Sequence, residues 1–183
     1  DQPVTAKIRL GWDAPEHCLE IADAVAAAGA SELAVHARTK VDGYRAEAIK
    51  WSWIAQIRAR LAIPVIANGE IWDWASAEQC RATTGCADLM VGRGALNVPN
   101  LGAVIKTKVP ALAWHEVVQL LLRYGELEVK GDKGLYFPNR IKQWFSYLRL
   151  AYPPADALFR ELRRHQEAGP ILADLARARD ALN

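Results

Sequence analysis

The chain has 183 residues, of which 51% are hydrophobic and 24% are charged, and its formal net charge is +2. So many apolar residues exclude an intrinsically disordered chain, and the length suffices for one good core or two small domains. A net charge this small does not by itself indicate a nucleic-acid partner, although basic side chains outnumber acidic ones after residue 110.

Three cysteines, Cys18, Cys80 and Cys86, bear on compartment and metal binding. They form no CxxC pair and no Cys/His ligand spacing, so we expect no metal site, and reduced thiols in a cytoplasmic protein, two of them buried. No apolar run approaches the roughly 20 residues that span a bilayer, so we expect no membrane partner. Because the chain begins at Asp1 without a Met or a signal peptide, we interpret it as a piece of a longer protein.

Short apolar runs alternate with helical patterns through the first half of the chain. The predicted strands are 4–10, 32–36, 64–67 and 89–91, and the predicted helices are 15–28, 49–61 and 76–83. This alternation is typical of an α/β fold with parallel strands, and the uniformly apolar third and fourth runs are typical of strands buried on both faces. Four such units make half of a (β/α)8 TIM barrel, whose open edges favour self-association.

The pattern changes after residue 99, where no further strand is predicted. Helices are predicted over 114–129, 139–151, 156–166 and 170–182, with a turn at 131–134. Pro153 and Pro154 are expected to end the second of these helices. We therefore expect a barrel domain over 1–108, a linker near 106–112, and a small all-α helical bundle over 112–183.

Lys7 and Arg9 lie two residues apart in the first strand and so share one face of the sheet. On the inner face of a barrel, such cations require a ligand or a counter-ion. The alternative is an edge strand whose lysine faces solvent. His36, at the end of the second strand, can donate to a ligand carbonyl or transfer a proton, or else serve a structural role.

Polar turns follow the third and fourth strands directly. Residues 68–70 read Asn-Gly-Glu and can offer backbone and amide donors, although Asn-Gly is also an ordinary tight turn. Residues 92–94 read Gly-Arg-Gly, which lets backbone amides approach an anion beside the charge of Arg93. Barrels often bind phosphate after their late strands, so we interpret 92–94 as a phosphate turn.

The helical tail carries arginines and lysines, which form either a solvated face or contacts to RNA phosphates. They include Arg140, Lys142, Arg149, Arg160, Arg163 and Arg164. Three tryptophans near the strand ends, Trp12, Trp72 and Trp74, could form walls or stacking surfaces.

Taken in order, the segments KIRLGW, HART, GYR, PVIANGEI and LMVGRGAL resemble the C-terminal half of a tRNA-dihydrouridine synthase. The later segment RIKQWFSYLR resembles the bacterial subfamily that modifies uridine 16 of the D-loop. The resemblance implies an FMN-binding TIM barrel followed by a helical tRNA-binding domain. It also implies reduction of a uracil C5–C6 bond in tRNA, or the reverse oxidation, with FMN and NADPH.

The same resemblance implies roles for individual residues. Lys7 matches the lysine near the flavin ring, and His36 matches the flavin-contacting histidine. The ribityl and phosphate contacts fall on Asn68, Gly69, Glu70, Gly92 and Arg93. The expected RNA contacts are Arg9, Arg38, Tyr44, Arg140 and Lys142.

One feature of the family pattern is missing from this sequence. The family's proton donor is a cysteine in an Asn-x-Gly-Cys-Pro motif, which none of the three cysteines matches. The resemblance therefore places the catalytic cysteine upstream of Asp1 and predicts that this chain alone is inactive. Two alternatives are an RNA-binding module without chemistry, and another FMN barrel of the dihydroorotate or dihydropyrimidine dehydrogenase kind.

Overall fold

The computed structural model describes residues 2–182, within which the chain forms two compact units. The first unit ends at Gly94 and the second begins at Ala95. All described strands belong to the first unit, and the regular elements described in the second are helices. The segment predicted as a linker, 106–112, includes the end of a helix and falls inside the second unit.

The first unit is a four-stranded parallel sheet with a helix after each of its first three strands. In chain order its elements are β1 (Thr5–Arg9), α1 (Cys18–Ala27), β2 (Glu32–His36), α2 (Trp51–Arg60), β3 (Val65–Asn68), α3 (Trp74–Thr84) and β4 (Leu89–Met90). Across the sheet the order is β1-β2-β3-β4, with every neighbouring pair parallel. A doubly wound sheet would reverse its order at a switch point, whereas sequential order is that of a (β/α)8 barrel. The predicted fold class, part of a TIM barrel followed by a helical part, is confirmed.

The register of the sheet separates an apolar row from a polar row. The apolar row is Ile8, Val35, Ala67 and Leu89, and the next row along the strands is Arg9, His36, Asn68 and Met90. Because successive side chains alternate between faces, the two rows lie on opposite faces. Val35 and Ala67 are fully buried, and they anchor the core between the sheet and its helices.

Local signals explain where α3 begins. Asp73 caps its first turn: the carboxylate accepts from the Ser76 amide at 2.7 Å, and the Ser76 hydroxyl accepts from the Asp73 amide at 3.0 Å. This capping box satisfies two donors that the first turn would otherwise leave unpaired. The helix therefore begins two residues before the predicted 76–83.

The second unit is built from α-helices. They are α4 (Arg93–Asn97), which begins at the end of the first unit, α5 (Leu101–Thr107), α6 (Trp114–Asp132), α7 (Phe137–Ala151), α8 (Pro153–Leu162) and α9 (Ala168–Asp180). Apolar side chains from α6 to α9 share one buried cluster that includes Leu121, Ile141, Phe145, Leu162 and Leu175. No described helix has the length and apolar character that crossing a bilayer requires.

Helix α7 ends at Ala151, just before Pro153 and Pro154, as predicted, but two helix boundaries in this unit differ from those predicted and two short helices were missed. Pro153 and Pro154 also begin α8, three residues before the predicted start at residue 156, because the first helical turn needs no N–H donor from proline. Helix α6 continues to Asp132, so the turn begins at Lys133 instead of residue 131. Helices α4 and α5 were not predicted, since five and seven residues are too few to show a helical stripe.

Candidate functional site

A cavity of about 210 Å³ lies where the carboxyl ends of β1 to β4 meet in the first unit. All seven residues predicted to bind a cofactor line it: Lys7, His36, Asn68, Gly69, Glu70, Gly92 and Arg93. Arg9, Tyr44, Trp72 and Met90 also contribute to its wall. Parallel strands bring their carboxyl ends to one edge of the sheet, which is why residues so distant in the sequence meet here.

Asn68 connects the outer strands of this site. Its side-chain oxygen accepts from Lys7 Nζ at 3.0 Å, and its Nδ2 donates to the Met90 carbonyl oxygen at 2.7 Å. Partial burial, together with the charge of Arg9, holds the pKa of Lys7 below its usual value. Lys7 is exposed, and it is also one of the residues that line the cavity.

His36 lies in the cavity wall with only 8% of its surface exposed. Burial lowers the pKa of its imidazole to about 4, and the nearby cations, led by Arg9, act in the same direction. The ring is therefore neutral near pH 7, so one nitrogen donates and the other accepts. A neutral imidazole can still donate a hydrogen bond to a ligand carbonyl.

Gly69 is required at the turn after β3 because its backbone and its surroundings both exclude a side chain. Its φ is +120°, and a Cβ would lie 2.7 Å from Ile49 Cδ1 and 3.1 Å from His36 Cδ2. The indole of Trp51 donates to the Gly69 carbonyl oxygen at 3.1 Å. Glu70 follows with a φ of +54°, which is uncommon for a residue with a side chain. Such backbone conformations cluster at functional sites.

The carboxylate of Glu70 is the centre of a hydrogen-bond network. Its Oε1 accepts from Arg38 at 2.6 Å and from Arg93 at 3.2 Å, and its Oε2 accepts from the Trp72 indole at 2.8 Å. Burial alone would raise the pKa of Glu70, but the hydrogen bonds from Arg38 and Trp72 bring it below its ordinary value. Glu70 is therefore ionised at neutral pH and ties two arginines together.

Tyr44 lies between two guanidinium groups at the rim of the cavity. Arg93 Cζ is 4.9 Å from the centre of the Tyr44 ring, and Arg9 Cζ is 5.4 Å from it. Arg93 Cζ is also 5.2 Å from the Trp72 ring. Cation–π contacts of this kind orient both partners. Tyr44 is 65% exposed, so much of its ring faces solvent although the residue lines the cavity.

The loop that carries Tyr44 is held by Asp42, which sequence reasoning missed. The Asp42 carboxylate accepts from Lys50 Nζ at 2.6 Å and from the Thr39 amide at 2.9 Å. These contacts, Lys50 first, hold the pKa of Asp42 far below its usual range. Arg9 donates to the carbonyl oxygen of Thr39 at 3.1 Å and so ties the same loop to β1. An Asx-type side chain near a strand end was the available signal.

The predicted RNA-binding residues lie in different environments. Arg9 and Tyr44 are at the cavity rim, as described above. Arg38, which we expected to contact RNA, is instead fully buried, so its guanidinium presents no surface to an RNA phosphate. In the second unit, Arg140 is exposed on α7 and pairs with Glu128, and Lys142 donates to the carbonyl oxygen of His165.

Of the tryptophans expected near the strand ends, Trp72 and Trp12 differ in whether they line the cavity. Trp72 forms part of the cavity wall, whereas Trp12 is exposed and does not line the cavity.

All three cysteines are buried, one more than expected, and none lines the cavity. Burial raises the pKa of Cys18 to about 11 and that of Cys80 to about 12, so neither is a reactive thiolate.

Comparison with known proteins shows the family to which this chain belongs. The family model described as "Dihydrouridine synthase (Dus)" matches residues 1–180. The chain belongs to the dihydrouridine synthase family. Two proteins named tRNA-dihydrouridine(16) synthase illustrate the similarity. The one from Vibrio cholerae is 61% identical over 181 residues, and the one from Escherichia coli K12 is 56% identical over 181 residues.

These matches cover 99% of this chain but 56% of each relative. A third protein of the same name, from Yersinia pestis, is 57% identical over 175 residues and is covered to the same extent. The chain thus spans about half the length of the curated relatives it matches. This member of the dihydrouridine synthase family contains the cavity described above and a helical unit.

Proposed function

We propose that this chain is part of an FMN- and NADPH-dependent tRNA-dihydrouridine synthase that acts in the cytoplasm on position 16 of the D-loop. One observation carries the proposal: the seven residues that the family resemblance assigns to the flavin line one cavity. The relatives named tRNA-dihydrouridine(16) synthase support the choice of nucleotide.

The chemistry of the cavity fits FMN. Arg93 offers a cation for the phosphate, beside Gly92, where a Cβ would meet no atom within 4 Å. The turn at 68–70 offers polar groups for the ribityl chain, and Lys7 and neutral His36 suit the carbonyl-bearing edge of the ring. When bound, FMN supplies the two-electron reduction of a uracil C5–C6 bond, with NADPH as the electron donor.

The chain's own side chains prepare this environment. Lys7, held by its hydrogen bond to Asn68 at 3.0 Å, would supply a positive charge that stabilises a reduced, electron-rich flavin ring. Neutral His36 keeps a proton on one ring nitrogen and could donate a hydrogen bond to the cofactor without adding charge. Because Gly69 has no side chain, the turn can approach one edge of the His36 ring closely and shield that edge from solvent.

tRNA is the proposed partner, and two groups of residues would contact it. At the cavity rim, Tyr44 offers an exposed ring on which a base can stack, and Arg9 holds that ring by a cation–π contact. In the second unit, Arg140 and Lys142 of α7 supply positive charge for phosphates. Removing one phosphate contact lowers affinity for all tRNA sequences and reduces its salt dependence.

We further propose that the catalytic cysteine lies in an Asn-x-Gly-Cys-Pro segment upstream of Asp1. The three cysteines present here are buried away from the cavity, so none can protonate a bound uracil. The 183-residue chain by itself should therefore not reduce tRNA, and its open sheet edges favour self-association.

The decisive experiment uses the full-length protein with NADPH and a tRNA transcript. We expect dihydrouridine at position 16, and no product when that nucleotide is cytidine. The Lys7→Met variant should lose activity, whereas Lys106→Met, which alters an exposed lysine of α5, should retain it. The 183-residue chain is assayed in parallel and should show no turnover.

The outcomes separate the alternatives. Salt-sensitive tRNA binding without flavin would support the RNA-binding module instead. Flavin binding with no tRNA binding would support another FMN barrel. Turnover by the 183-residue chain would contradict the proposed position of the catalytic cysteine.

A further inference from the structure

Arg38 is a fully buried arginine directly behind the cavity. Its Nη2 donates to Glu70 Oε1 at 2.6 Å, while Nε and Nη1 are buried and have no hydrogen-bond partner among the described residues. A buried cation with unused donors is costly to the fold, so its presence demands a specific partner. Glu70 is the carboxylate to which it is bound.

Glu70 divides its carboxylate unequally between two arginines. Arg38 is the nearer, while Arg93 donates to the same oxygen at 3.2 Å and keeps 35% of its side chain exposed. Trp72 occupies the second oxygen at 2.8 Å. The group therefore holds two positive charges and one negative charge, so one positive charge is left over, and Arg93 is the member that lines the cavity.

Arg38 determines where that remaining charge lies. Without it, Glu70 and Arg93 would form a neutral one-to-one pair at the cavity wall. A phosphate would then have to compete with the carboxylate for the same guanidinium. Arg38 itself cannot reach a ligand, because its side chain is fully buried.

We propose that Arg38 is a positioning residue that neutralises Glu70 and so keeps Arg93 available for the phosphate of the cofactor. This inference rests on the proposed function, since it takes FMN as the ligand. It assigns Arg38 a role in flavin selectivity instead of the RNA contact expected from the sequence. It also explains why a carboxylate is tolerated beside a phosphate site.

The test compares the affinities of FMN and riboflavin, which differ only in the phosphate, by flavin fluorescence in the full-length apoprotein. Wild type should prefer FMN, and Arg38→Met should reduce that preference about tenfold. The double variant Arg38→Met/Glu70→Gln, in which Arg93 is again unopposed, should restore the preference to within about twofold of wild type. A matched control, Arg60→Met, breaks the exposed Arg60–Asp23 pair between α1 and α2 and should leave the preference unchanged.

If Arg38 has only a structural role, Arg38→Met should weaken the binding of FMN and riboflavin equally, or the double variant should show the same reduced preference for FMN as the single variant. Either result overturns the inference. If Arg38→Met does not fold, the double variant, which contains no unpaired buried charge, is compared with Arg93→Met. The double should keep the FMN preference and Arg93→Met should lose it; equal loss overturns the inference. If the wild-type protein binds neither flavin, both the proposed function and this inference fail. If the wild-type protein prefers FMN and Arg38→Met keeps the same preference, only the inference is refuted.

Discussion

Replacing Gly69 by alanine tests whether the turn after β3 is built around a missing side chain. The new Cβ would lie 2.7 Å from Ile49 Cδ1 and 3.1 Å from His36 Cδ2, at a φ of +120°. We expect the variant to be destabilised and the His36 ring to be displaced from the cavity wall.

Two terms set the size of the effect. A side chain in such a sparsely populated backbone region costs about 1–3 kcal/mol. Inserting a methyl group into a packed site typically costs a further ~1–3 kcal/mol. The smaller conformational entropy of unfolded alanine offsets about 0.4–1 kcal/mol of this. Together these terms give an expected loss in the free energy of unfolding for Gly69→Ala of about 1–6 kcal/mol, centred near 3 kcal/mol.

Urea denaturation followed by tryptophan fluorescence measures this loss, and Trp51, whose indole donates to the Gly69 carbonyl oxygen, lies at the site. Gly92→Ala is the matched control in the same cavity, because its Cβ would meet nothing within 4 Å; it should change stability by less than about 0.5 kcal/mol. Adding Ile49→Val to Gly69→Ala removes Ile49 Cδ1, the closest clashing carbon, and should restore part of the unfolding free energy that is lost to crowding.

The reasoning is refuted if Gly69→Ala and Gly92→Ala are equally stable. If Ile49→Val recovers nothing from the Gly69→Ala background, the packing term is wrong and backbone strain alone sets the cost. Loss of FMN binding without loss of stability would place the effect of Gly69 in the ligand contact instead.

Three further predictions concern titratable groups. Because the pKa of His36 falls from 6.5 to about 4 on folding, the unfolded chain binds more protons between these values. Stability should therefore fall on acidification from neutral pH towards pH 4, by at most about 3 kcal/mol, and His36→Gln should flatten this dependence in urea titrations. Asp42→Asn removes a charged hydrogen-bond acceptor and should lower stability by about 1–2 kcal/mol in thermal melts; an unchanged melting temperature would count against the loop network. A thiol reagent should label none of Cys18, Cys80 and Cys86 in the native state and all of them in urea, and rapid native labelling would contradict their burial.

Much of the fold was readable from the sequence because its signals are local. The alternation of apolar runs and helical stripes located every strand and seven of the nine α-helices described within 2–182. Short helices such as α4 gave no periodic signal, and the prolines at 153 and 154 are compatible with ending one helix and with starting the next. Boundaries therefore depended on packing and capping that no short window contains.

The convergence of Lys7, His36 and the two polar turns also followed from the sequence alone. Residues that end parallel strands must meet at one edge of the sheet, whatever the detailed packing. Their assignment to a flavin came from the family resemblance, and it stays a proposal.

What only the tertiary structure decided is which way the side chains beyond the strand ends turn. The alternation of faces fixes a side chain's direction while the strand lasts, and Arg38 lies two residues past β2. There the backbone is held by distant partners: the Leu10 amide donates to the Arg38 carbonyl oxygen at 3.0 Å, and Glu70 binds the guanidinium. Because contacts from β1 and from the turn after β3 set that orientation, no pattern near position 38 could show that this arginine points inward.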